Sequence, residues 1–332
     1  MLSSVLLMTI VIVILAITFD FINGFHDSAN AIATSVSTRV LSMRSAVIMS
    51  AGMNFLGAFI SDKVAKTVGD GIVDPFKISP KVVLIALIAA IIWDLLTWYI
   101  GIPSSSSHAL IGGLIGSAVV YKTSFFVVNW ATFMEKIVLW LFLSPIIGFV
   151  VGYIVMILLQ WVFKKSKPMF VSKFFSKAQI VSAMLMALNH GGNDAQKSMG
   201  VITMALLSAG TLSTFSVPTW VKAACALAMA LGTSFGGYKI IKTMGMNMAR
   251  LAPVNGFAAE TGAAAVIFSA TMFHAPVSTT QIISTSIMGV AASNRMSSVR
   301  WMLAKNIIIA WVVTMPVCAG IAGLLTFFIK FI

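Results

Sequence analysis

Five carboxylates, Asp20, Asp27, Asp94, Asp194 and Glu260, lie inside otherwise apolar stretches of this 332-residue chain. Each costs at least about 2.5–3.5 kcal/mol to bury at a bilayer centre on insertion scales, so each needs a polar cavity, an ion or a partner. Two of them sit in similar surroundings, "NGFHDSANAIAT" at 23–34 and "NHGGNDAQKSMG" at 189–200. Gly24 and the pair Gly191–Gly192 each disfavour continuous helix by about 1 kcal/mol, so both segments are expected to be breaks. An interrupted helix in hydrocarbon must line a cavity or bind something. Asn side chains, freed carbonyls and a carboxylate are oxygen ligands for a hard cation or acceptors for a proton. Freed amide groups at the start of the next half-helix suit an anion. Lys197 adds an ammonium three residues after Asp194, on the same helical face. Asp20, Asp94 and Glu260 lie outside the duplicated segments, where pairing with a neighbouring helix is an equally good reading.

A second pair of segments points to an anion. Pro103 is followed by Ser104, Ser105, Ser106 and Ser107, and Pro276 by Ser278, Thr279 and Thr280. Proline is favoured at the first helical position and hydroxyls cap free amide groups, so each is expected to open a half-helix with its proline at that position. The positive ends of two helix dipoles, ringed by hydroxyls, make a cradle for a tetrahedral oxyanion. All four histidines, His26, His108, His190 and His274, fall at these motifs, as a shared polar centre would require. His26 and His190 are the first candidates to carry a proton.

The elements that hold these residues follow from composition. Hydrophobic residues make up 59% of the chain and charged residues 9%, with a mean hydropathy of +1.00. A soluble domain carries about 25% charged residues, so the chain is read as an all-α, multi-pass protein of the cell membrane, embedded in lipid. Apolar runs near 2–22, 45–60, 82–100, 137–163, 219–236, 252–272 and 303–329 are read as long enough to cross a bilayer. Pieces at 109–120, 199–209 and 282–292 are too short to span alone. About ten helical pieces result, several broken or re-entrant. The first run lacks a basic flank and continues into the Asp27 motif, so it is read as mature structure. Cys225 and Cys318 stand alone in apolar runs and imply neither a disulfide frame nor a metal site.

The chain also repeats itself. Aligning Asp27 with Asp194 gives an offset of 167; "KTVG" at 66–69 answers "KTMG" at 242–245, and "PSSSSHALIGGLIG" at 103–116 answers "PVSTTQIISTSIMG" at 276–289. Trp130 and Pro145 answer Trp301 and Pro316 at an offset of 171. Residues 1–163 and 178–332 are therefore read as two repeats, joined by the basic linker 164–177 with its five lysines. The positive-inside rule puts the linker and loops 39–44, 239–250 and 294–305 in the cytoplasm. Those hold thirteen Lys or Arg, against seven in 62–81, 121–136 and 209–222. The "KTxG" loops then face opposite sides, which is an inverted repeat.

The basic balance, a net charge of +13, sits in short loops that set topology, so nucleic acid is excluded as a partner. An enzyme is excluded too. "NHGGND" has the residue types of a metallophosphoesterase cluster, but the chain has no strand pattern to carry one, and no HExxH, GxSxG or Walker-type loop. A channel needs no paired acids in broken helices.

With these motifs in place, "FDFINGFHDSANAIAT" (19–34) and "NHGGNDAQKSMG" (189–200) resemble the two signatures of the inorganic phosphate transporter (PiT) family, and the resemblance covers nearly the whole chain. It implies symport of inorganic phosphate with a coupling cation, H⁺ or Na⁺, and no cofactor. It also implies inverted repeats with helical hairpins, and a homodimer. Carried over, the resemblance assigns phosphate and the coupling ion to Asn23, Asp27, Asn30, Asn193 and Asp194, with Ser105, Ser106, Ser107, Ser278, Thr279 and Thr280. One position departs: sodium-using members tend to carry an Asn-like residue in both copies, and here Asn30 is answered by Lys197. The Gln196–Lys197 version resembles the bacterial low-affinity branch, which couples to protons and accepts metal–phosphate complexes. A fixed ammonium about 5 Å away repels Na⁺ by about 3 kcal/mol at an effective dielectric near 20, so proton coupling is favoured. Sodium coupling, and sulfate as the oxyanion, are the alternatives.

Overall fold

Apolar side chains on all sides of the long runs leave each helix two kinds of neighbour, lipid and other helices. A computed structural model describes residues 2–330 as α1 (Leu2–His26), α2 (Ser28–Ser37), α3 (Met43–Gly57), α4 (Lys63–Lys66), α5 (Pro80–Ile100), α6 (Ser106–Lys122), α7 (Trp130–Thr132), α8 (Leu139–Phe163), α9 (Pro168–Ser208), α10 (Thr219–Phe235), α11 (Tyr238–Lys242), α12 (Pro253–Met272), α13 (Thr279–Ala292) and α14 (Trp301–Lys330). No strand occurs among the described residues beyond one isolated bridge, Val73 with Val128. Five stretches are long and apolar enough to cross a bilayer: Val5–Ser37, Pro80–Ile100, Trp130–Phe163, Pro168–Ser208 and Trp301–Lys330. A sixth is reached if α10 and the segment Tyr238–Asn247, bent by 67°, count as one.

The two Asp-bearing segments behave differently. α1 ends at His26 and α2 begins at Ser28, with Asp27 at φ −95° and ψ 4° between them. α9 runs unbroken for 41 residues, straight through Gly191 and Gly192. The expected second break is therefore absent. The glycines serve close packing instead: a Cβ at Gly191 would collide with the carbonyl oxygen of Asn54, and one at Gly57 with that of Leu188. Small residues let α3 and α9 approach backbone to backbone. That packing offsets the roughly 1 kcal/mol propensity cost of each glycine. The linker is shorter than its lysines suggest, because Pro168 opens α9 and residues 168–177 form its first turns. At 1.5 Å per residue α9 is about 62 Å long, so its basic start extends well beyond a 30 Å hydrocarbon core.

Paired motifs adopt paired local structures. Thr67–Gly71 and Thr243–Asn247 are both single wide turns of π-helix. The Thr67 hydroxyl donates to the His274 carbonyl at 2.8 Å, and the Thr243 hydroxyl to the Gly101 carbonyl at 3.1 Å. Gly101 and His274 both take left-handed φ, 80° and 59°. The indoles of Trp130 and Trp301 each donate at 2.8 Å to a carbonyl five residues back.

The apolar core divides into two large clusters and a small third one of Ile85, Ala89 and Ala322. One cluster gathers Ile12 and Phe19 of α1, Leu87, Leu110, and Met199 and Ile202 of α9. The other gathers Ala29 and Ile32 of α2, Met186 and Ala187 of α9, Ile267, Ile282 and Trp311. The change of cluster falls at residues 20–28 on α1–α2 and at 188–194 on α9, where the polar motifs lie. The two segments cross this polar layer in opposite order, α1–α2 from the first cluster to the second and α9 from the second to the first.

Candidate functional site

Helix starts deliver two of the four pieces of the site. α6 and α13 are capped by Ser105 and Ser278, whose hydroxyls accept from His108 N and Gln281 N at 3.3 Å. The prolines are not at the first helical position; Pro103 and Pro276 stand two residues before the caps, in the extended approach. A proline there lacks an amide that the turn has no way to satisfy, while the capping hydroxyl does the work expected of it. α5–α6 and α12–α13 thus form hairpins whose second arms, of 17 and 14 residues, start at the polar layer.

The other two pieces are the junction of α1 and α2 at Asp27 and the middle of α9. Lys197 Nζ donates to Asp194 Oδ1, to Ser107 Oγ and, at 3.0 Å, to the carbonyl of Val277. Thr279 donates to Asp194 Oδ2 at 2.8 Å, and Thr280 to Asp27 Oδ1 at 3.3 Å. Asn30 donates its amide to Thr279 and Thr280 at 3.2 and 2.9 Å. Asn193 donates to Thr271 at 2.9 Å and to the Ala275 carbonyl at 3.5 Å. Every sequence-derived site residue is buried, none more than 4% exposed, including Asn23, Ser105 and Ser106. These side chains are shut off from solvent.

Several acceptors in this layer have no hydrogen-bond partner among the described residues: Oδ1 of Asn23, of Asn30 and of Asn193. Buried amide oxygens are rarely left so, and they are ligands of the type a hard cation takes. Asp27, His190 and Asp194 each offer a ligand atom, all within 4.8 Å of one another. His190 Nδ1 donates to Asn54 Oδ1 at 3.1 Å. Its Nε2 lies 3.2 Å from Asp194 Oδ2, close enough for a proton to be shared between them. His26 Nδ1 donates to Asp27 Oδ1 at 2.7 Å, and its Nε2 lies 3.1 Å from the Thr97 hydroxyl. Arranged this way, the layer offers hydroxyls, two helix starts and an ammonium to an anion, and carboxylates, amide oxygens and imidazoles to a cation.

Two acids outside the duplicated motifs differ from the third. Glu260 is held by Thr34, Ser182 and Gln179, so the partner reading applies to it. Both oxygens of Asp20 and of Asp94 are buried without a hydrogen-bond partner among the described residues. The histidines do not all share one centre. His274 is exposed and lines a separate surface pocket with Lys63, Lys66 and Thr67. Gln196 turns away to accept from the first amides of α4, Val64 and Ala65. Sequence reasoning missed Asn54, Thr97 and Thr271, which orient His190, His26 and Asn193. Their one signal was a polar side chain in an apolar helix, which many membrane helices carry without function.

Comparison with known proteins gives a consistent picture. The profile described as "Phosphate transporter family" matches residues 23–322. A Bacillus subtilis (strain 168) protein named "Probable low-affinity inorganic phosphate transporter" is 51% identical over 98% of both chains. A Rhizobium meliloti (strain 1021) protein of the same name is 48% identical over 95% of both. One from Mycobacterium tuberculosis (strain ATCC 25618 / H37Rv) is 40% identical over 97% of this chain and 77% of the relative. The solved structure titled "The sodium-dependent phosphate transporter" superposes with a TM-score of 0.89, covering 98% of this chain and 99% of that one, at 24% identity, a likeness of fold.

Proposed function

This chain belongs to the phosphate transporter family, and from that membership we propose that it imports inorganic phosphate across the cell membrane by secondary symport with protons. The observation that carries the reading is the convergence of two capped helix starts on Lys197, Asp194 and Asp27 in one buried layer. Phosphate sits against Ser105–Ser107, Ser278–Thr280 and Lys197, where helix dipoles and an ammonium favour its charge. Asp27, Asp194, His26 and His190 serve the coupling proton, and Asn23, Asn30 and Asn193 belong with the substrate.

Proton coupling is favoured over sodium because Lys197 already places a positive charge on Asp194. A metal cation in the same cluster is repelled and needs several free oxygen ligands at once, whereas a proton needs one oxygen or ring nitrogen and can bind at the Asp27–His26 pair, which Lys197 does not contact. Transport follows from the layer's position. Opposite crossing of the layer by α1–α2 and α9 supports inverted repeats over 1–163 and 178–332, with α6 and α13 as re-entrant arms that alternately open to either side. The family's homodimer is carried over as the assembly.

Uptake of radiolabelled phosphate into proteoliposomes, with pH and Na⁺ gradients imposed one at a time, tests the reading. Accumulation driven by an inward proton gradient without Na⁺ is expected. Accumulation that needs Na⁺ alone removes proton coupling, and sulfate uptake that phosphate fails to inhibit removes the substrate.

A further inference from the structure

Two pockets occupy equivalent places in the two halves. In the first half, residues 70–77 meet 126–129 in a cavity lined by Asp70, Asp74, Lys77 and Asn129. In the second, residues 246–250 meet 291–300 in a cavity of about 300 Å³ lined by Arg250, Arg300, Asn294, Ser297 and Ser298. The same backbone hydrogen bond closes each: Asn129 N to Ile72 O at 2.8 Å, and Arg300 N to Met248 O at 3.2 Å. At the offsets of the surrounding motifs, 176 and 171, Arg250 stands where the first half has Asp74, and Arg300 where it has Asn129. The fold does not require arginines here.

We propose that the Arg250–Arg300 pocket is a second binding site, for a phosphate-bearing ligand of net negative charge, whose phosphate charge no cation of its own balances. Arg250 and Arg300, both exposed, line one small cavity with no carboxylate among its lining residues, and neither has an ion-pair partner among the described residues. Two like charges facing one cavity are both attracted to an anion placed in it. Planar guanidinium forks match phosphate oxygens two at a time, and the Ser297 and Ser298 hydroxyls add donors. Asn294 receives the Gln160 amide on its oxygen at 2.6 Å, which leaves its NH₂ group free to donate. Topology alone accounts for basic residues in loops 239–250 and 294–305, but not for their meeting from two separate segments in one polar cavity. On the proposed topology the pocket opens to the cytoplasm. Its ligand there is either inorganic phosphate leaving the carrier or the phosphate of an anionic lipid headgroup.

Isothermal titration of the purified, detergent-solubilised protein separates the sources, with inorganic phosphate, dihexanoyl phosphatidate and dihexanoyl phosphatidylcholine as probes. Wild type is expected to bind phosphatidate, or one phosphate more than the Arg250→Gln/Arg300→Gln variant does. That variant should bind the pocket ligand roughly tenfold to a hundredfold more weakly, as expected for losing charge-assisted bonds. Arg250→Lys/Arg300→Lys should fall between, because charge persists and the forks do not. Loss confined to phosphatidate identifies the headgroup; loss confined to inorganic phosphate identifies an exit site; either supports the proposal. Unchanged affinity for both in the Gln variant, or equal binding of zwitterionic phosphatidylcholine, overturns it. Elution as a single folded species controls for misfolding. Because the readout is binding in detergent, it stands or falls separately from uptake in proteoliposomes.

Discussion

Lys197 Nζ and the backbone carbonyl of Val277 are 3.0 Å apart, so an ammonium on α9 is tied to the approach of α13, eighty residues further along the chain. The same ammonium reaches Asp194 on its own helix and Ser107 at the start of α6. One charge thus joins the middle of α9 to both hairpins. Removing it does two separable things, loosening the closed arrangement and withdrawing a positive charge from the anion cradle.

Lys197→Asn, which makes the position match Asn30, should weaken apparent phosphate affinity by roughly tenfold or more, the scale of a lost charge-assisted bond. It should also make uptake respond to sodium. Lys197→Arg keeps charge in a larger planar head and should retain part of the affinity. Initial uptake rates against phosphate, at fixed pH with and without Na⁺, check both. Unchanged affinity in Lys197→Asn would reduce the lysine to a counter-ion of Asp194.

Asp27→Asn and Asp194→Asn should each abolish concentrative uptake while the protein still reaches the membrane. Asp194 accepts from Lys197 and Thr279, and Asp27 from His26 and Thr280, so each carboxylate touches an anion-facing hydroxyl and a titratable group. Counterflow exchange at equal phosphate concentrations separates coupling from binding. A mutant that accumulates phosphate normally does not have its acid in the coupling path.

Orientation of the halves is testable without transport. Single cysteines at Thr67 and Thr243, in a background lacking the buried Cys225 and Cys318, should label with an impermeant thiol reagent from opposite sides of the membrane. Both threonines anchor equivalent left-handed turns, so labelling from one side only contradicts the inverted arrangement.

The left-handed turns themselves make an asymmetric prediction. L-residues pay about 1–2 kcal/mol for left-handed φ, and glycine does not. Gly101→Ala should lower thermal stability, since its Cβ also meets Lys239 Cβ at 3.2 Å. His274→Gly at the equivalent turn should leave the melting temperature unchanged or raised. Fluorescence-detected thermal melts compare the two, and equal losses would show that the turns are not governed by backbone strain.

How much of this was legible beforehand depends on the range of the rule involved. Buried acids in an apolar chain, the duplicated motifs, the capping hydroxyls of Ser105 and Ser278, and the shared face of Asp194 and Lys197 are all consequences of composition or of contacts within four residues. Sequence by itself determined these, because burial cost, capping and helical periodicity act locally. Whether Gly191 and Gly192 break α9 was not local: the answer lay in α3, whose backbone at Asn54 and Gly57 comes close enough to need them. Likewise nothing near His274 in sequence turns it outward, and nothing near Lys197 announces Ser107 and Val277 as its partners. A glycine's propensity cost of about 1 kcal/mol, or one side chain's hydrogen bond, is small beside the packing of whole helices. Tertiary structure alone decided which of those local tendencies survived, and it gathered four segments far apart in the chain into a single polar layer between two apolar cores.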